Sequence, residues 1–222
     1  MKTKFLMLPV EACILICLSI PLASLGDVIT FDDIVIPFPY YYYSPITNGY
    51  HGLNWSNFGP LTPRDATNNG YYYGMVSPPN VAFNGAGSPA EIDALGTNFN
   101  FLSVYLTGAW NSNLNIEVQG YRDTNLIYDE TLVVSATNAT LFTFNHLDID
   151  RLYFNSYGGD NAGFGGSGEE FVMDNFEFEF IPEPSSFLLA ALGCISLVAL
   201  VRHRSRASGK PADGGFLRRK RM

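Results

Sequence analysis

The sequence predicts an all-β domain, a two-sheet sandwich of jelly-roll type, flanked by an N-terminal export signal and a single C-terminal transmembrane helix. Three observations carry this expectation. Between Val28 and Phe180 the chain is a series of short apolar and aromatic runs separated by turn residues such as Asn68-Asn69-Gly70, Asn111-Ser112-Asn113 and Asp123-Thr124-Asn125. No long stretch before residue 185 has a helical period. At each end lies an apolar segment with basic flanks.

Residues 1–26 read as a signal peptide. Lys2 and Lys4 precede an apolar stretch reaching about Leu22, and the small residues Ser24 and Gly26 sit two apart, as signal peptidase requires. Cleavage is expected before Asp27; the alternative is an uncleaved membrane anchor. Cys13 and Cys17 lie inside the apolar region and away from that point, which argues against a lipid-modified N-terminus.

Residues 27–180 read as the extracytoplasmic domain, long enough for one sizeable core. The expected strands are Val28–Phe31, Phe99–Leu106, Leu114–Tyr121, Leu126–Val134, Thr140–Phe144, Arg151–Asn155 and Phe171–Phe180. The formal charge of the whole chain is −8, but this conceals a strong asymmetry. From Asp27 to Ile181 there are 3 basic residues (Arg64, Arg122, Arg151) against 18 acidic ones, a net charge of −15. Such a domain repels nucleic acid and anionic lipid and remains compatible with binding cations. It contains no cysteine, which excludes disulfides and thiolate chemistry there. The glycine-rich stretch 158–168 has no lysine and no phosphate-loop ending, and reads as a surface loop.

The tail begins at Pro182-Glu183-Pro184. An apolar run, residues 187–201, follows, and then the basic cluster Arg202, Arg204 and Arg206. The prolines end the preceding strand, because they lack the ladder N–H. As a helix the apolar run spans roughly 22–26 Å, just short of a hydrocarbon core of about 30 Å, and snorkelling arginines make up part of the difference. The arginines place the C-terminus on the cytoplasmic side and the domain outside.

These three ordered parts, residues 181–206, resemble the PEP-CTERM sorting signal of exported bacterial proteins. The resemblance implies recognition and cleavage by an exosortase, and display in a matrix rich in exopolysaccharide. The basic extension 207–222 departs from the family pattern, whose tails end soon after the first basic cluster.

Three blocks within the domain, Ile29-Thr30-Phe31-Asp32-Asp33-Ile34, the segment from Asn48 to Phe58, and Met173-Asp174-Asn175-Phe176, resemble jelly-roll modules of the carbohydrate-binding kind. Alternation along the last strand puts Asp174 on the face of Phe176, Phe178 and Phe180. A carboxylate on a core face must be paired or metal-bound. Asp32 or Asp33 would then meet Asp174 around a structural Ca²⁺; alternatively, all three cap turns or accept backbone N–H groups. No other cofactor is expected.

Tyr41 and Tyr43 in the tetratyrosine run, with Tyr50, Trp55 and Trp110, are candidate stacking surfaces for sugar rings, against the alternative that the tryptophans are core. His51 and His146 lie in no nucleophile or metal motif, and Asp148 and Asp150 have the spacing of a same-face carboxylate pair. No enzyme activity is expected. Two classes of function remain: a displayed structural or adhesive protein of an exopolysaccharide or biofilm matrix, and a carbohydrate-binding module. A glycan-active enzyme is a distant third.

The tail reading predicts that replacing Pro182-Glu183-Pro184 with alanines blocks loss of the C-terminal segment in an exosortase-containing host. Mass spectrometry of the mature protein checks this, and an unchanged mass would refute it.

Overall fold

The computed structural model describes residues 26–36, 44–63, 68–181, 192–193 and 195–196. The expected signal peptide (1–26), Tyr41 and Tyr43, the sorting motif Pro182, Glu183 and Pro184, the arginines Arg202, Arg204 and Arg206, and the extension 207–222 fall outside these residues, apart from Gly26. Of the expected helix 187–201, only residues 192–193 and 195–196 are described, and these are helical. Among the described residues, no helix is long and apolar enough to cross a membrane.

Ala23–Ile181 forms one compact unit. Its strands are β1 (Asp27–Ile29), β2 (Asn54–Ser56), β3 (Phe58–Leu61), β4 (Val81–Asn84), β5 (Ala90–Asp93), β6 (Phe99–Gly108), β7 (Asn111–Ser112), β8 (Leu114–Arg122), β9 (Asn125–Val134), β10 (Thr140–Ile149), β11 (Arg151–Tyr157), β12 (Asp160–Asn161) and β13 (Phe171–Phe180). A single-turn helix, α1 (Gly70–Gly74), interrupts them. One sheet runs β10-β6-β13-β4-β3, with β1 also on β13, and the other runs β2-β5-β11-β8-β9. Every pairing in both is antiparallel. Successive strands pass between these two sheets at β1–β2, β2–β3, β4–β5, β5–β6, β9–β10 and β10–β11, so this is the expected all-β sandwich.

The core is a continuous aromatic cluster between the sheets. Phe99, Phe101, Phe176 and Phe178 from one sheet meet Trp55, Ile92, Ile116 and Phe154 from the other, all buried. Phe101 stacks on Phe176 at 4.9 Å and lies edge-on to Phe154 at 6.4 Å. With no disulfide available, apolar burial of this kind at about 25 cal/mol per Å² is the main stabilising term.

The central strand β13 departs from simple alternation. Asn175 has φ 49°, and the register of β13 on β6 slips between Asp174 and Glu177. Before this bulge Phe171 and Met173 face the main core; beyond it Phe176 and Phe178 do. Asp174 therefore lies on the opposite, outer face with Val172, which packs in a second small cluster with Tyr71 of α1. The expectation that Asp174 shares a face with Phe176, Phe178 and Phe180 is overturned, because one extra residue reverses the parity. The break also divides the edge of β13 between two partners: β4 pairs at Val172 and Met173, and β1 from Phe176 to Phe178.

Helix α1 lies close against that outer face. The Asn69 side chain caps it by accepting from the Tyr72 N–H at 3.2 Å. A Cβ at Gly70 would fall 1.8 Å from the Gly108 carbonyl oxygen, so only glycine permits this approach. Beyond the helix, the Asp174 carboxylate accepts the N–H groups of Val76 (2.7 Å) and Ser77 (2.8 Å) on one oxygen. The other oxygen accepts the Ser77 hydroxyl (2.9 Å) and the Asn175 N–H (2.7 Å). The residue is fully buried, and burial pushes its pKa up to about 6 against the pull of these donors.

A raised folded-state pKa means that the native state holds the proton more tightly than the unfolded chain. The contribution of Asp174 to stability is then greatest below about pH 4 and is lost as pH rises through about 6. Between pH 4 and 7 the wild type is expected to lose up to about 3 kcal/mol relative to Asp174→Asn, which does not titrate. Urea denaturation across that range measures the difference; parallel curves would contradict the assignment.

Candidate functional site

The outer face of the five-stranded sheet is built by strict alternation in its two longest inner strands. In β8, Leu114, Ile116 and Val118 point into the core and Asn115, Glu117, Gln119 and Tyr121 point out. In β11, Leu152, Phe154 and Ser156 point in and Arg151, Tyr153, Asn155 and Tyr157 point out. Register sets these side chains in rows. Tyr153 lies between Glu91 of β5 and Gln119 of β8, Arg151 between Asp93 and Tyr121, and Asn155 beside Glu117.

Hydrogen bonds order this surface. The Tyr121 hydroxyl donates to Gln119 Oε1 at 2.6 Å, Gln119 Nε2 donates to Glu117 Oε1 at 3.2 Å, and Asn155 Nδ2 donates to Glu117 Oε2 at 3.3 Å. The Arg151 guanidinium lies 4.5 Å from the centroid of the Tyr121 ring, and its Nη1 is 3.8 Å from Glu91 Oε2. Arg151 Nε is buried with no protein acceptor. Glu91, Tyr121, Arg151 and Tyr153 line a shallow hollow of about 220 Å³. Beside it Asn48, Asn54, Ser56, Glu91 and Asp93 line a second one, of about 410 Å³. Tyr157, 43% exposed, ends the strip. The face thus offers three phenol rings and a set of oriented acceptors and donors to an extended ligand.

The residues expected from the sequence fall elsewhere. Trp55 is 3% exposed and packs edge-on against Phe31 (5.6 Å), Phe58 (5.5 Å) and Phe176 (5.7 Å), with its indole N–H donating to the Tyr50 carbonyl. It is core, touching the larger hollow only by an edge. Trp110 packs against Tyr71 at 5.6 Å on the outer side of the other sheet, and a Cβ at Gly166 would fall 2.5 Å from its ring. Tyr50 is half-buried, and its hydroxyl donates to Asp33 at 2.5 Å; burial, then this bond, raises its pKa well above the usual range. These aromatic rings do not form one surface.

The calcium arrangement is not formed either. Asp32 accepts the Asn80 N–H at 3.0 Å, Asp33 serves Tyr50, and Asp174 already receives four donors. A carboxylate with four donors on its two oxygens has no lone pair left for a cation. Among the described residues, no group of three or more His, Cys, Asp or Glu side chains is placed to hold a metal. The alternative expectation, that these carboxylates accept backbone N–H groups, describes Asp32 and Asp174, although Asp174 lies inside β13 rather than at its end. The carboxylates Asp148 and Asp150 are also committed: Asp148 pairs with Arg122 at 2.5 Å and has φ 59°, which breaks the alternation, and Asp150 accepts the Asp123 N–H.

Tyr121, Tyr153 and Tyr157 are the ring-bearing residues that the sequence reading passes over. Their signal is parity: each is an aromatic among the polar positions of an otherwise alternating strand.

No family model and no curated protein matches the chain. Among solved structures, a mutant of CBM29-2, from carbohydrate-binding module family 29, covers 74% of this chain and 100% of its own length at 11% identity and a TM-score of 0.37. A family 16 carbohydrate-binding module (CBM16-type, module 2) gives 17% identity, 55% and 85% coverage and a TM-score of 0.29. The enzymatically active domain of the bacteriophage CBA120 tailspike protein 4 gives 10% identity, 60% and 20% coverage and 0.31. Overlap at this level is partial, and the assignment of the site rests on the chain's own geometry.

The placement of Trp55 predicts that Trp55→Ala costs about 3–5 kcal/mol in unfolding free energy, as for a large buried aromatic. Urea denaturation checks this, and a cost below about 1 kcal/mol would put the ring at the surface.

Proposed function

We propose that the domain is a non-catalytic carbohydrate-binding module that holds a polysaccharide chain across the outer face of the five-stranded sheet. The observation that carries this reading is the strip of Tyr121, Tyr153 and Tyr157, with Glu117, Gln119 and Asn155 set between the rings. A pyranose ring has an apolar face of axial C–H groups and an equatorial rim of hydroxyls. Phenol rings suit the face, and fixed amides and carboxylates suit the rim. The internal hydrogen bonds hold these groups before any ligand arrives, which lowers the ordering cost of binding. An open strip rather than an enclosed cavity suits a chain longer than the site.

The tail supports a second element of the proposal. A PEP-CTERM-type signal, processed by an exosortase after signal peptidase has removed the leader, would display the module outside the membrane, where matrix polysaccharide lies. A structural or adhesive role in that matrix is then the consequence of binding rather than a competing function.

Tyr153→Ala and Tyr121→Ala are each expected to weaken binding of soluble polysaccharides by about tenfold or more, with little change in melting temperature, since both rings are partly exposed. Affinity gel electrophoresis across a panel of neutral and amino-sugar polysaccharides reads this directly. Retention unaffected by either substitution would remove the site from this face.

A further inference from the structure

We propose that the ligand of this face is an amino-sugar polymer carrying free ammonium groups, rather than a neutral or acidic polysaccharide. The inference rests on the reading of the sheet face as a polysaccharide platform and assigns its chemical class.

The charges on the face point one way. Outward positions carry four carboxylates, Glu91, Asp93, Glu117 and Asp129, against the single guanidinium of Arg151. That guanidinium lies over the Tyr121 ring and faces Glu91, so four carboxylates share one cation. Arg122, next along the chain from Tyr121, is turned to Asp148 on β10. Among the described residues, Arg151 is then the single cation of this face, outnumbered by the carboxylates around it.

Glu117 occupies the centre of the strip and is built to accept rather than to pair. Each of its oxygens takes one side-chain N–H, from Gln119 and from Asn155, and no guanidinium or ammonium reaches it. A carboxylate has about four acceptor sites, so two remain for a donor on the ligand. A ligand hydroxyl can fill them, but a ligand ammonium adds the attraction of opposite charges to the hydrogen bond. The phenol faces of Tyr153 and Tyr157 act in the same sense, since the negative face of an aromatic ring attracts a cation as well as polarised C–H groups; the Tyr121 ring already carries Arg151. With 3 basic and 18 acidic residues between Asp27 and Ile181, the field of the whole domain draws a polycation in and excludes a polyanion.

Isothermal titration of the domain-bearing protein with a β-1,4-linked glucosamine oligomer, its fully N-acetylated form and a glucose oligomer of equal length tests this. The glucosamine oligomer is expected to bind at least about tenfold more tightly than the other two at low salt, with the preference falling as salt rises. Glu117→Gln should abolish most of that preference, and Tyr153→Ala should weaken all three oligomers. Glu179→Gln, on the other sheet, reports diffuse attraction and should leave the preference intact. If the N-acetylated or glucose oligomer binds as tightly in a Tyr153-dependent way, the amino-sugar assignment falls while the module reading stands. If Glu179→Gln reduces the preference as much as Glu117→Gln, the attraction is diffuse and the assignment falls. If none of the three, nor any polysaccharide of the wider panel, binds, both readings fall.

Discussion

One buried carboxylate organises the middle of this fold. Asp174 sits where β13 changes the face it shows to the core, and its four accepted hydrogen bonds hold the loop through Val76 and Ser77 against the bulge. Without that anchor the N–H groups of Val76 and Ser77, and that of Asn175 at the bulge, would be left unpaired where β4 stops pairing and β1 begins. Asp32 does a similar service at the other end of the same segment, at Asn80, whose side chain in turn binds the carbonyls of Phe31 and Ile34. A net charge that reads as an invitation to calcium is thus, at these two positions, spent on backbone donors.

The fold was more legible than the site. The long strands β6, β8, β9, β11 and β13 were readable because alternation over eight or more residues, or a dense run of aromatics, leaves few other structures. β2 to β5 were not, because each has three or four residues, too few to show a period, and β3 also contains Gly59 and Pro60. The face of Asp174 was misread for a specific reason: parity arguments assume an unbroken pleat, and Asn175, a residue tolerant of the left-handed region, breaks it. The same device recurs in β10, where Asn145 has φ 54° and the pairing with β6 slips between Thr143 and His146. The two breaks meet β6 on either side of it at Ser103.

Aromatic abundance also misdirected the search for a binding surface. In a chain with 17 phenylalanines and 13 tyrosines, many rings fill a core that no disulfide supports, and the indole of Trp55 joins them. The informative rings are those that violate the local pattern by sitting among Asn, Glu and Gln. Recognising them requires knowing which side of a strand faces the opposing sheet, a fact that pairing in three dimensions supplies.

The pairing of β1 with β13 carries a mechanical consequence. Asp27 lies opposite Phe178 in antiparallel register, so the chain enters and leaves the sandwich at the same end of the same strand pair. A pull applied between the two termini would load that pair as a zipper, with its bonds parting one after another, rather than in shear, where they share the load. A load applied instead between the outer face of the five-stranded sheet and Ile181 would bypass β1 and pass through β13, which lies between β6 on one side and β4 and β1 on the other. Traction along a polymer would therefore meet the sheet at its most heavily bonded strand, while the weak seam at the N-terminus stays slack.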